Sequence, residues 1–380
     1  MPDSNQAAAY RELALLVRAG VGVEATAPEL ARVVRILIGA EGCFIGWFDD
    51  CGKPAGFFHD SAPTSAEELF LNNSHLFVGP DELNIFWLSR NPGQLVGSML
   101  NPGKAFFKSN TFNLLFKACH HHHGLDLRVE VNGVMRLAIG LFRSKAHPFG
   151  DDDAHRLYAL TPALQQAVVK TPGNWESGFS PSGGPLLAAS SQTDSGYLVV
   201  SADGQSILML DDLAARLIRL CRMFDQGLNL IGNLTAPPHF IRQLCQQLSH
   251  GKTSLAHAKV DVQGGTLVVT ASGLQATAGL SAKSLQTTQL PMTVQNILVK
   301  VEFYKPSVMG VVQSISQLGL SPLQNRIAMF AATGGSRIEC AAHHQVSKEA
   351  LKKHLREIYS AARCVDWHEL HRTLSMRSSS

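Results

Sequence analysis

No stretch of this chain approaches the roughly 20 consecutive apolar residues that a membrane-spanning helix needs. Its opening, MPDSNQAAAYREL, lacks the charged-then-apolar order of an export signal. Membrane insertion and secretion are therefore not expected, and a cytoplasmic location is. Signatures of catalysis are missing too: there is no P-loop, Rossmann fingerprint, nucleophile elbow or HExxH motif. Gly264-Gly265 and Gly334-Gly335 are placed as turn glycines, not as phosphate cradles. No enzymatic activity is expected. The seven cysteines are odd in number and contain no CxxC pair, which suits a reducing compartment and argues against a disulfide scaffold. Extreme charge is absent as well, the formal net charge being only +3. That charge is unevenly placed: from Leu320 onward there are 9 Lys/Arg against 5 Asp/Glu, or +4, leaving −1 for everything before.

The basic excess falls in a segment with unusually clear punctuation. Ser321 stands as an N-cap, Pro322 at the first helical position and Gln324 where a capping box needs a side chain that reaches back. Ile327, Phe330 and Ala331 give that helix an apolar stripe, and Gly334-Gly335 ends it. Ser336 and Glu339 repeat the box for a short second helix, Gln345-Val346 makes a turn, and Ser347 caps a third helix reaching about Ala361. On the third helix Leu351, Leu355, Ile358 and Ala362 share a face, with Tyr359 beside them. Lys348, Lys352, Lys353 and Arg356 form a contiguous arc away from that stripe. Two short helices and a tight turn before a longer basic helix make a helix-turn-helix. Such a helix fits the major groove of B-DNA, where lysine and arginine reach guanine edges and phosphates.

The set Leu320-Ser321-Pro322, Gly334, Ser336, Glu339, Ala341, Val346-Ser347, Lys352, His354-Leu355, Ile358-Tyr359 and Glu369-Leu370 resembles the LuxR-type helix-turn-helix of bacterial transcription regulators. The resemblance runs without gaps over about fifty residues. It implies a four-helix domain over 316–380 that binds promoter DNA, with contacts from Ser336, Arg337, Ser347, Lys348, Lys352, Lys353 and Arg356. It also implies that a fourth helix, Asp366 to Leu374, pairs two protomers. Four positions depart from the family pattern. Gln324 stands where glutamate is commonest, Ile338 where lysine is frequent, Ala350 where threonine usually opens the recognition helix, and His344 at a normally buried leucine.

Residues 1–170 read as one unit. Helices are expected over Ala8–Ala19 and Pro28–Leu37, the second opened by a Thr26/Glu29 box. A hairpin is expected over Phe44–Asp60. Strict alternation over Leu125–Val131, the turn dipeptide Asn132-Gly133 and the apolar run VMRLAIGLF predict a second hairpin. A helix over Asp152–Lys170 closes the unit. The layout is similar to a GAF domain, in which small ligands lie between the sheet and the helical middle segment. Pocket-lining candidates are Trp47, Phe57, Trp87 and Phe107. Segment 171–194 is rich in Gly, Pro and Ser and reads as a linker. Over 195–312, two strands around Ala202-Asp203-Gly204, then helices, then three strands give the element order of a PAS domain, and GYLVVSADGQSILMLDDLAARLI resembles a PAS opening. The fold class is thus α+β and multidomain: two antiparallel-sheet sensor modules followed by an all-α domain.

Cys119-His120-His121-His122-His123 offers imidazole and thiolate donors, and Cys119, His121 and His122 are its metal-ligand candidates. Consecutive residues cannot all converge on one ion, so a helix-to-strand junction is the expected role. Asp151-Asp152-Asp153 opens a helix, where carboxylates favour the dipole. No cofactor is named by any motif. The composite expectation is a homodimeric transcription regulator that answers a small-molecule effector by changing dimer geometry on double-stranded DNA. Two alternatives stay open: an adaptor with a degenerate helix-turn-helix acting through protein contacts, and a zinc or copper sensor.

Overall fold

Two antiparallel sheets flanked by helices make the architecture α+β. The structure is a computed structural model that describes residues 4–168, 191–224, 232–249, 254–274 and 296–376. Segment 171–194 therefore lies almost entirely outside the described residues. The chain forms two compact units, one of residues 1–63, 75–191 and 305–380, the other of 64–74 and 192–304. Among the described residues no helix is long and apolar enough to cross a membrane.

In the first unit α1 (Ser4–Ala19) packs on α2 (Val23–Ile38), and α2 packs on a sheet of β1 (Gly42–Phe48), β2 (Pro54–His59), β3 (His123–Val131) and β4 (Val134–Arg143). The strand order is β2-β1-β4-β3, all antiparallel. The β3–β4 turn is the expected one, with Asn132 and Gly133 both at positive φ (53° and 76°). Helix α2 starts earlier than a Thr26/Glu29 box predicts. The Thr26 hydroxyl donates to the Gly22 carbonyl (3.0 Å) and so belongs to the helix interior. The closing helix is broken in two, α5 (Asp151–Tyr158) and α6 (Thr161–Val168). Pro162 has no N–H to carry a helical bond back to Tyr158.

Each face of this sheet has its own chemistry. Cys43, Ile45 and Trp47 of β1, Leu137, Ile139 and Leu141 of β4, and Leu125, Leu127 and Val129 of β3 join α1, α2, α5 and α6 in one apolar core. The opposite face carries Phe44, Phe57, His59, Phe142, Asp126 and Arg128. Asp126 is fully buried there, although alternation alone would send it to water. Segment 95–99 covers it: Asp126 accepts from Ser98 Oγ (2.6 Å) and Met99 N (2.9 Å). Arg128 donates to the Leu88 carbonyl of α4 (Ile85–Arg90).

The second unit holds a five-stranded sheet of β5 (Ser191–Ser201), β6 (Ile207–Leu210), β7 (Leu255–Val262), β8 (Gly265–Leu274) and β9 (Asn296–Lys305), in the order β6-β5-β9-β8-β7. Helices α7 (Asp212–Ile218) and α8 (His239–Ser249) separate the first two strands from the last three in sequence. Asp211 caps α7 through Ala214 N (2.6 Å). Helix α3 (Thr64–Asn72) belongs to this unit, its Glu67 paired with Arg222 (3.1 Å) and Phe70 set edge-on to Phe224.

The C-terminal helices α9 (Ser307–Ser316), α10 (Pro322–Ala332), α11 (Arg337–His343), α12 (Lys348–Ala362) and α13 (Trp367–Met376) cluster with the first unit. Helix α9, which the sequence pattern had not marked, packs against α1, α10 and α13 through Val308, Met309, Val311, Val312 and Ile315.

Candidate functional site

All three serine caps form. Ser321 accepts from Gln324 N and Gln324 answers at Ser321 N (2.8 Å). Ser336 and Glu339 reproduce that box for α11, with Ser336 N donating to Glu339 at 2.7 Å. Ser347 accepts from Ala350 N (3.1 Å) to start α12. Each such cap is worth about 1 kcal/mol. Burial of Leu351, Leu355, Ile358 and Ala362 holds α12 in place more strongly, at about 1.5–3 kcal/mol for each large side chain. Gln345, in the left-handed region (φ 53°), makes the tight turn between α11 and α12.

Lys348, Lys352, Lys353 and Arg356 are all exposed. At about 100° per residue they cover an arc of roughly 140°, beginning where the buried stripe ends. Among the described residues none of the four is in an ion pair. Ser336 and Ser347 keep exposed side chains while capping α11 and α12. Arg337, also exposed, opens α11 and lies against α12: burial raises the Tyr359 phenol and the Arg337 charge opposes that shift. The seven residues expected at DNA therefore sit on the first turn of α11 and along α12.

Three of the four departing positions, Gln324, His344 and Ile338, have defined surroundings. Gln324 is buried, and its amide Nε2 donates to Glu357 of α12, so a glutamate at 324 would face another carboxylate. His344 is half-buried with Phe330 edge-on at 5.8 Å, and its Nε2 has no hydrogen-bond partner. Burial first, then the charges of His343 and Arg326, push His344 down to about 4. Ile338 is 73% exposed, an apolar side chain on the outer side of α11. Helix α13 buries Leu370 and Leu374 within its own chain, and Trp367 Nε1 ties its start to the Gly335 carbonyl (2.8 Å).

The four aromatic pocket candidates do not meet. Trp47 lies in the helix-packed core, whereas Phe57 is on the other sheet face, stacked on Phe44 at 5.4 Å. Trp87 is half-buried on α4, and Phe107 is 38% exposed with its edge toward Phe112. The second face is instead filled by Phe106, Phe112, Phe116 and Phe142, in edge-to-face contacts near 5 Å. An open groove of about 640 Å³ between α1, the β3–β4 turn and α6 includes Arg18, Glu130, Asn132 and Gln165 and none of these aromatics.

The histidine run contributes a cluster that local sequence does not reveal. His59, at the end of β2, brings a donor atom within 4.8 Å of those of Cys119 and His121. His122 turns instead toward Phe107 and Phe112, and His123 begins β3. Asp151 and Asp152 are exposed at the start of α5, while Asp153 accepts from Gly150 N (3.1 Å) and pairs with Arg143 (3.0 Å).

Compared with known proteins, the chain matches no family model, and no curated protein matches it either.

Proposed function

We propose that this chain is a DNA-binding transcription regulator whose C-terminal helices form a LuxR-type helix-turn-helix and whose two α+β units sense a small-molecule signal. The carrying observation is the basic arc of α12: four exposed cations on the second helix of a helix-turn-helix whose apolar stripe is fully buried. A buried stripe fixes the roll of the helix, so the arc has one orientation toward a DNA groove. The GAF-like reading of the first unit rests on an antiparallel sheet backed by helices on one face and a helical, irregular segment on the other. The PAS-like reading of the second rests on its order of two strands, helices, then three strands.

In this reading Lys348, Lys352, Lys353 and Arg356 meet phosphates and base edges, and Ser336, Arg337 and Ser347 meet the backbone. Regulation acts through a homodimer, because two recognition helices must match the half-site spacing. The α1–α9–α10 contacts give the sensor unit a direct mechanical hold on the DNA-binding helices. Fluorescence anisotropy with a library of promoter duplexes tests the reading. Binding by wild type and loss in the Lys352→Ala/Lys353→Ala/Arg356→Ala protein are expected. Equal binding by both would remove α12 from the interface.

A further inference from the structure

We propose that His59, Cys119 and His121 form a metal site for a d10 ion with affinity for thiolate and imidazole, Zn²⁺ or Cu⁺. The three donor atoms lie within 4.8 Å of one another, although His59 is separated from the other two by sixty residues of chain. Tetrahedral zinc, with bonds of about 2.3 Å to sulfur and 2.0–2.1 Å to nitrogen, needs its donors roughly 3.5 Å apart. The donors would have to draw about 1 Å closer on binding.

The backbone explains why this trio meets and its neighbours do not. Cys119 and His121 are separated by His120, which adopts the left-handed conformation (φ 58°). A non-glycine residue there costs on the order of 1–2 kcal/mol. The turn brings the donors at 119 and 121 together with that of His59. Gly42 makes room for the imidazole: a Cβ at that position would stand 2.8 Å from His121 Cε1 and 2.9 Å from its Nε2.

A second observation points to a ligand independently of the clustering. His121 is buried to 8% exposure and its Nε2 has no hydrogen-bond partner. An orphaned buried nitrogen costs about 1–3 kcal/mol, and a metal ion satisfies it. His59 and His121 each offer an imidazole nitrogen to the cluster. The two rings are nearly parallel at 5.6 Å, and Phe142 stacks on His121 at 4.6 Å, fixing their planes. On His59, Nδ1 accepts from the Ser61 N–H at 3.2 Å, with the Asp60 carboxylate beyond hydrogen-bond range at 3.8 Å. Asp60 itself is held by Arg35 (3.2 Å) and Cys43 N (2.9 Å), which keeps it in the outer shell. Three protein donors leave one position open to water or a small ligand. The ion would couple the end of β2 to the junction that precedes β3, within the first unit.

The test uses the full chain, stripped with a chelator and titrated with Zn²⁺, with Cu⁺ under anaerobic conditions, and with Co²⁺ as the spectroscopic probe. One equivalent of Zn²⁺ or Cu⁺ is expected, and the cobalt form should show a thiolate-to-metal charge-transfer band. Cys119→Ser should abolish the band, and His59→Ala should weaken binding at least about tenfold. His122→Ala should change neither. Circular dichroism identifies any variant that fails to fold, and the half-exposed Cys119 makes Cys119→Ser the safest of them. Less than stoichiometric binding of both ions by wild type, or a band that survives Cys119→Ser, would overturn the proposal. Neither result bears on DNA binding.

Discussion

The Gln324 amide donates to the Glu357 carboxylate, linking the capping box of α10 to the exposed flank of α12. The same side chain thus closes one helix terminus and braces the helix that carries the basic arc. Gln324→Glu retains the box and gains about 0.3–1 kcal/mol from the helix dipole. It also sets a second carboxylate against Glu357 at a buried position, which costs about 1–3 kcal/mol. A net loss near 1 kcal/mol is expected from denaturant midpoints, and Glu357→Gln should restore it. Additive effects of the two substitutions would show that the contact carries no coupling.

His344 makes the stability of the C-terminal helices depend on pH. The unfolded chain takes up this proton near pH 6.5, the folded chain only near pH 4. Stability is therefore complete above about pH 6.5 and declines as the pH falls toward 4. Protonation would add a third cation beside Arg326 and Arg18, both of which already oppose it. His344→Leu should raise the melting temperature and flatten its pH dependence over this window. An unchanged slope would place the acid sensitivity elsewhere.

Helix α9 covers part of α10 and α13, so where a C-terminal fragment begins should matter. A fragment of residues 305–380 should be more stable than one of 317–380. The difference should be about 1–3 kcal/mol, since only the part of α9's apolar face that meets α10 and α13 stays buried without α1. Calorimetry on the two fragments decides this, and equal melting temperatures would make the α9 contacts incidental.

Asp126 fastens segment 95–99 to the sheet through Ser98 and Met99. Asp126→Ala leaves Met99 N–H without its partner and should speed amide exchange at Met99 at least about tenfold, the factor that ~1.4 kcal/mol of lost hydrogen bonding gives. Exchange in α12 should not change. Acceleration spread over the whole unit would mean that Asp126 supports global folding.

Features written in local pattern were legible. Ser321, Ser336 and Ser347 with their partners announced three helix starts, Asn132-Gly133 announced a hairpin, and the 3.6-residue spacing of Leu351, Leu355 and Ile358 announced the buried side of α12. What could not be read were relations between distant segments. Nothing around His59 marks it as a neighbour of His121, because only the pairing of β2 with β1, and of β1 with β4, brings them together. Helix α3 gives no local sign that it belongs with residues 192–304, since Glu67 and Phe70 meet their partners more than 150 positions away. Helix α9 was missed although Val308, Val311, Val312 and Ile315 fall at helical spacing, because Gly310 and the β-branched composition lower helix propensity.

The central claim is that α12 meets DNA with its basic arc, and the salt dependence of duplex affinity tests it most directly. If Lys352, Lys353 and Arg356 contact phosphates, log affinity should fall steeply with log salt, and the triple alanine variant should have a slope shallower by about 2–3. A wild-type affinity insensitive to salt, or a slope unchanged by the triple substitution, would contradict the assignment.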